Sequence, residues 1–157
     1  MSSGNTSQMD EPCANALRPG GLPGLLVEMA LLSERDDSEL AGVRVLIVED
    51  TWHVAKALKG LLEGLGMEVI GPAATVSEAK EHAAAQMPEL ALIDINLKGE
   101  MAYSLIDHLH DEGVPIIVVS GYAVLASLTE KAAAILQKPY QASELIAALH
   151  GVVGSTR

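Results

Sequence analysis

Four short runs of nearly unbroken Val, Ile, Leu and Ala each stop on polar side chains. Val43 to Val48 is followed by Glu49-Asp50, Leu90 to Ile93 by Asp94, Ile116 to Val119 by Ser120, and Ala134 to Leu136 by Gln137-Lys138. Apolar runs of this length, without polar alternation, fit strands buried on both faces of a parallel sheet. An open parallel sheet brings the carboxyl ends of its strands to one crevice, at the point where the strand order reverses. Glu49, Asp50, Asp94, Ser120 and Lys138 therefore form one candidate site instead of a scatter of polar residues.

The segments between the runs have helix patterning. Thr51 is placed to cap a helix with Val54, Leu58, Leu61, Leu62 and Leu65 on one face, stopped by Gly66. Met67 to Ile70 predicts a further strand, ending at Gly71-Pro72. Thr75 and Glu78 have capping-box spacing ahead of an Ala-rich helix to Gln86. Further helices are expected over Met101 to Glu112, with Leu105 and Leu109 inward, over Tyr122 to Lys131, and over Ser143 to His150, with Leu145, Ile146 and Leu149 inward. Five β-α units with short connections predict a doubly wound α/β domain with a five-stranded parallel sheet, for which 2-1-3-4-5 is the natural strand order.

The predicted domain occupies residues 43–153, with 154–157 as a C-terminal tail. Residues 1–42 differ in composition. Met1 to Gly24 is rich in Ser, Asn, Pro and Gly, which predicts disorder, and 25–40 has the spacing of a short helix. A tail or linker is the favoured reading, with a docking or dimerising helix as the sharper one. Seven acids against two bases in this segment contribute −5 to the net charge of −11. That excess argues against nucleic acid and membrane surfaces as partners, because phosphate groups favour Lys and Arg. The single Cys13 excludes an internal disulfide, and the most apolar N-terminal stretch contains Glu28 and is too short to span a bilayer. A cytoplasmic protein is expected. Phe is absent, so the core must be built from Val, Ile, Leu and Ala.

The candidate site has a consistent chemistry. Glu49, Asp50 and Asp94 on neighbouring strands repel one another, a cost that a divalent cation relieves. Mg²⁺ takes oxygen ligands and keeps several waters. Asp50 and Asp94 are the expected direct ligands, with Glu49 acting through water and the backbone carbonyl of Asn96 completing the protein share. An Asp94 carboxylate attacking a phosphoryl group needs cations to spread charge in the transition state, a role open to Lys138. Ser120 can donate a hydrogen bond to a phosphoryl oxygen. The bland alternatives are a helix cap for Ser120 and a solvated side chain for Lys138. Pro139 is a candidate cis-proline, since X-Pro bonds adopt cis at modest cost. Trp52 is read as a helix-packing residue. His53, His82, His108, His110 and His150 do not cluster as metal ligands and are read as structural or solvated.

The stretches Val-Leu-Ile-Val-Glu-Asp (45–50), Leu-Ile-Asp-Ile-Asn-Leu (92–97), Val-Val-Ser-Gly-Tyr (118–122) and Leu-Gln-Lys-Pro-Tyr (136–140) resemble, in order and spacing, the receiver domain of bacterial two-component response regulators. The resemblance implies the flavodoxin-like 2-1-3-4-5 order, a family for which that order is established. It also implies Asp94 as phosphoacceptor, Glu49 and Asp50 as the acidic pair, Ser120 as switch hydroxyl and Lys138 as the phosphate-binding lysine. Two departures stand out. Many receivers carry an aromatic three residues before the lysine, where this chain has Ile135, and an aromatic instead follows the hydroxyl at Tyr122. With Asn-Leu-Lys-Gly-Glu after Asp94, this is similar to an alphaproteobacterial subfamily often found as stand-alone receivers.

The expectation is a single-domain response regulator, not an enzyme beyond its own phosphorylation and dephosphorylation. It would take phosphate from a histidine kinase or histidine phosphotransfer protein and signal to a downstream protein partner; a homodimer is compatible with it. The rival is a phosphorylation-independent receiver-like binding module, which would not need the full acid, hydroxyl and lysine set. A flavodoxin-like enzyme would need longer cofactor-wrapping loops, and a haloacid-dehalogenase-type phosphatase would need a second aspartate where Asn96 stands.

Overall fold

The computed structural model describes residues 39–121, 123 and 126–156. The expected N-terminal disorder, all but the last two residues of the helix expected over 25–40, and Tyr122 lie outside the described residues. Strand β1 (Arg44–Val48) is followed by helix α1 (Trp52–Gly64), β2 (Glu68–Ala73), α2 (Val76–Ala85) and β3 (Leu90–Asp94). A two-stranded hairpin, β4 (Asn96–Leu97) and β5 (Glu100–Met101), then precedes α3 (Tyr103–Asp111), β6 (Ile116–Ser120), α4 (Ala126–Lys131), β7 (Ala134–Gln137) and α5 (Ala142–Thr156).

The main sheet is parallel with order β2-β1-β3-β6-β7. With the small hairpin set aside, this is the 2-1-3-4-5 order that the family resemblance implied. Every residue of β3 and β6 is buried, because helices cover both faces. The alternation of Cβ direction along each strand splits the core in two. Leu46, Val48, Ala91, Ile93, Ile116 and Val118 pack with α2, α3 and α4, whereas Val45, Ile47, Leu90, Leu92, Ile117 and Val119 pack with α1 and α5.

Several boundaries differ from the sequence reading. β2 does not end at Gly71-Pro72 but runs on to Ala73 through a shift in register against β1. Gly71 makes this turn at φ +95°, where a Cβ would lie 2.9 Å from the Ala73 nitrogen. The extension matters for the site, because the Ala73 carbonyl accepts the Glu49 amide at 2.9 Å. Helix α3 starts at Tyr103 instead of Met101, since Met101 pairs with Asn96 in the hairpin. Helix α5 continues past His150 to Thr156 and buries Val152 and Val153, so residues 154–156 are helical. Ile146 is only half-buried. Leu40, placed with the tail from sequence, is fully buried against Val43 and Leu62.

On α1 the stripe that meets the sheet is Ala55, Leu58 and Leu62. That stripe is rotated by one residue from the row through Val54, which is exposed. Trp52, the first helical residue, is 65% exposed and not packed in the core. Lys56 Nζ lies 4.9 Å from the centre of its ring, a cation–π contact at the surface. Thr75 caps α2 as expected, its Oγ1 accepting the Glu78 amide at 3.1 Å, while Glu78 reaches back to the Ala74 amide. Among the described residues no helix is long and apolar enough to cross a membrane.

Candidate functional site

The sheet brings the predicted residues to one end. Glu49 and Asp50 follow β1, Asp94 ends the adjacent β3, Ser120 ends β6, and Lys138 follows β7. Carboxylate oxygens of Glu49, Asp50 and Asp94 all lie within 4.8 Å of one another. Glu49, Asp94 and Ser120 are buried, and Asp94 borders a polar cleft of about 430 Å³ lined also by Asp50, Asn96, Lys98 and Lys138 among others.

Asp94 is held from two sides. Lys138 Nζ donates to its Oδ2 at 2.6 Å, and the Asn96 amide donates to its Oδ1 at 3.0 Å. The Lys138 amide in turn donates to the Ser120 carbonyl at 2.8 Å, joining the ends of β6 and β7. The Lys138-Pro139 peptide bond is cis, as is Gly71-Pro72. Lys138 is thus an ion-pair partner of Asp94, although its side chain is 39% exposed. Ser120 belongs to the strand, six residues ahead of the start of α4, so the helix-cap alternative does not describe it.

Burial pushes the Glu49 carboxyl up to about 7; the Thr51 amide opposes this, and the Asp94 and Asp50 carboxyls add to it. Burial works against the charged form of Lys138, but the hydrogen bond and charge of Asp94, with Glu49, overcome it and raise its pKa. Burial also raises the Tyr140 phenol, helped by the charge of Glu49. A crowded, all-oxygen donor set with one carboxyl kept partly protonated fits a hard divalent cation, which would replace proton and lysine charge as the neutralising partner.

Three features of the site were not read from the sequence. Thr51 does not cap α1 with its hydroxyl; its amide donates to Glu49 Oε1 at 3.0 Å, which orients the acid. The β4–β5 hairpin borders the cleft, turning at Lys98 (φ 54°) and Gly99 (φ 92°). Asn96 Oδ1 accepts the Gly99 amide at 2.8 Å within that turn. Glu100 Oε1 accepts the Val76 amide at 3.3 Å, tying the hairpin to the first turn of α2. Gly99 was the legible signal for a turn after Asp94. None of the five histidines joins an acidic or thiol cluster among the described residues. His150 pairs with Glu39 at 3.6 Å.

Comparison with known proteins gives a consistent picture. The family model of the response regulator receiver domain matches residues 45–150. The phyllosphere-induced regulator PhyR of Methylorubrum extorquens is 31% identical over 139 residues, covering 80% of this chain and 52% of that protein. The crystal structure of the response regulator PhyR from Brucella abortus superposes with a TM-score of 0.71 at 25% identity, covering 85% of this chain and 55% of the other. A receiver domain protein from Methanospirillum hungatei gives a TM-score of 0.67 at 30% identity, covering 73% of this chain and 96% of the other. The chain spans about half the length of the curated PhyR relative it matches.

Proposed function

Because the chain belongs to the response regulator receiver family, we propose that it accepts a phosphoryl group on Asp94 and signals through changed protein contacts. The observation that carries this reading is the pairing of Asp94 with Lys138 at 2.6 Å beside the Glu49–Asp50 pair, with Asp50, Asp94 and Lys138 lining one cleft. An Asp94 oxygen forms the bond to phosphorus as the bond from phosphorus to the donor atom breaks and its electron pair leaves with the donor. Lys138 moves its hydrogen bond from the carboxylate to a phosphoryl oxygen, and the Asn96 amide keeps the acid oriented. Asp50 and Asp94, with Glu49 through water and the Asn96 carbonyl, would hold Mg²⁺. When bound, Mg²⁺ supplies charge neutralisation for the phosphoryl oxygens.

In this reading Ser120 at the end of β6 donates to the new phosphoryl group, which couples the site to α4. Tyr122 takes the part that an aromatic at the position of Ile135 plays in many receivers. Phosphorylation is then a local charge event that shifts two pre-existing states, with α4, β7 and α5 as the responding surface. The donor is a histidine kinase or a histidine phosphotransfer protein, and the receiver of the signal is another protein.

The test is phosphorylation by a small phosphodonor with Mg²⁺, followed by intact mass, with Asp94→Asn and a chelator as controls. One added phosphoryl group, lost in both controls, is expected. No adduct, with partner binding intact, would favour a phosphorylation-independent binding module. Retention of all phosphorylation-induced changes in Tyr122→Ala would remove that residue from the switch.

A further inference from the structure

Lys98 lines the same cleft as Asp94 and Lys138, yet the reading above gives it no task. It is the only non-glycine residue at positive φ among the described residues. Successive positive φ values at Lys98 and Gly99 make the tight turn that suits a two-residue hairpin, but Asn, Asp or Gly is the usual choice for its first position. A long β-carbon side chain is strained there, and strain of this kind concentrates at functional sites.

The hairpin holds the strained residue in place. Asn96 Oδ1 accepts the Gly99 amide, the Ala102 amide donates to the Ile95 carbonyl at 2.9 Å, and Glu100 ties the second strand to α2. Lys98 itself is exposed, and no carboxylate among the described residues pairs with it. Lys138, by contrast, is already committed to Asp94. The cleft therefore presents the Asp50 and Asp94 carboxylates and one occupied cation to an incoming phosphodonor, a net negative lining that repels a dianion. A free ammonium in the same lining offsets that repulsion during encounter.

We propose that Lys98 is a second, donor-facing cation of the site, which draws anionic phosphodonors into the cleft towards Asp94. The inference rests on the phosphoacceptor reading of Asp94. Lys98 keeps its proton throughout; the bond that forms is from an Asp94 oxygen to phosphorus, and the bond that breaks is from phosphorus to the donor. Its effect grows with the negative charge of the donor and fades with salt.

The experiment compares the wild-type chain with Lys98→Gln and Lys98→Arg, measuring phosphorylation rates by intact mass with acetyl phosphate, a dianion, and phosphoramidate, a monoanion, at low and high salt. Lys98→Gln is expected to slow the acetyl phosphate reaction roughly fivefold at low salt, from two charges meeting one across about 8 Å of water. The phosphoramidate reaction should slow about half as much on the logarithmic scale, Lys98→Arg should retain the wild-type rate, and high salt should remove the difference. Equal slowing with both donors, equal loss in Lys98→Arg, or no change in Lys98→Gln would each overturn the proposal while leaving the Asp94 reading intact. No adduct on the wild-type chain with either donor would overturn both.

Discussion

Glu49→Gln tests the electrostatic reading of the site most directly. In the metal-free protein the Glu49 carboxyl is pushed from its ordinary 4.5 to about 7, first by burial and then by the neighbouring acids. Between those two pH values the native state holds a proton that the unfolded state has lost. Native binding of more protons means that stability falls as pH rises. The contribution is fully present below pH 4.5 and is lost as pH rises through about 7. At about 1.4 kcal/mol per unit, the difference amounts to at most about 3–4 kcal/mol, and solvent screening at the mouth of the site makes the contribution smaller. That is a large share of a typical domain's stability of about 5–15 kcal/mol. Gln keeps an oxygen to accept the Thr51 amide but carries no charge. Urea unfolding with chelator present, from pH 5 to pH 8.5, should show wild-type stability falling across this window. Glu49→Gln should give a flatter profile and the more stable protein at pH 8. Mg²⁺ should stabilise the wild type more than the variant. A variant less stable than wild type at pH 8, with the same slope, would refute the reasoning.

Three further outcomes follow from particular contacts. Lys138→Ala removes the ammonium 2.6 Å from Asp94 and should slow phosphorylation by roughly a hundredfold or more, the scale for losing a transition-state charge partner; the initial rate of adduct formation by intact mass checks it. Gly71→Ala places a Cβ 2.9 Å from the Ala73 nitrogen and 3.1 Å from the Ile47 carbonyl at φ +95°, and chemical denaturation should show a loss of roughly 2–3 kcal/mol. Leu105→Ala empties a fully buried position among α2, α3 and the sheet, for a loss of about 2–5 kcal/mol in the same assay.

Parts of this protein were legible in the chain because they depend on local pattern. The unbroken apolar runs at 90–93 and 116–119 fitted strands buried on both faces, and the polar residues after them fell where a parallel sheet collects them. Thr75 and Glu78 encoded their helix start in a spacing of three residues, and the full set of acids, hydroxyl and lysine could be named before any geometry. Other parts depended on partners distant in sequence. Met101 and Asn96 pair across a turn, which shortened α3. Glu100 finds the Val76 amide 24 residues away, and no local spacing announces that contact. Leu40 looked like tail until Val43, Leu62 and α5 closed over it. Val54 and Trp52 looked like packing residues, but the orientation of α1 against the sheet selected Ala55, Leu58 and Leu62 instead. Periodicity reports that a helix has an apolar side, whereas the neighbouring sheet decides which residues that side includes. The sequence by itself determined the alternation of strands and helices and which polar side chains stand at the strand ends, since both follow from hydrophobic pattern and side-chain chemistry. Only the tertiary structure decided how Asp94 is shared between Lys138 and Asn96, how far Glu49 is raised, and that Lys98 stands over the same cleft, because distance and burial set electrostatic strength.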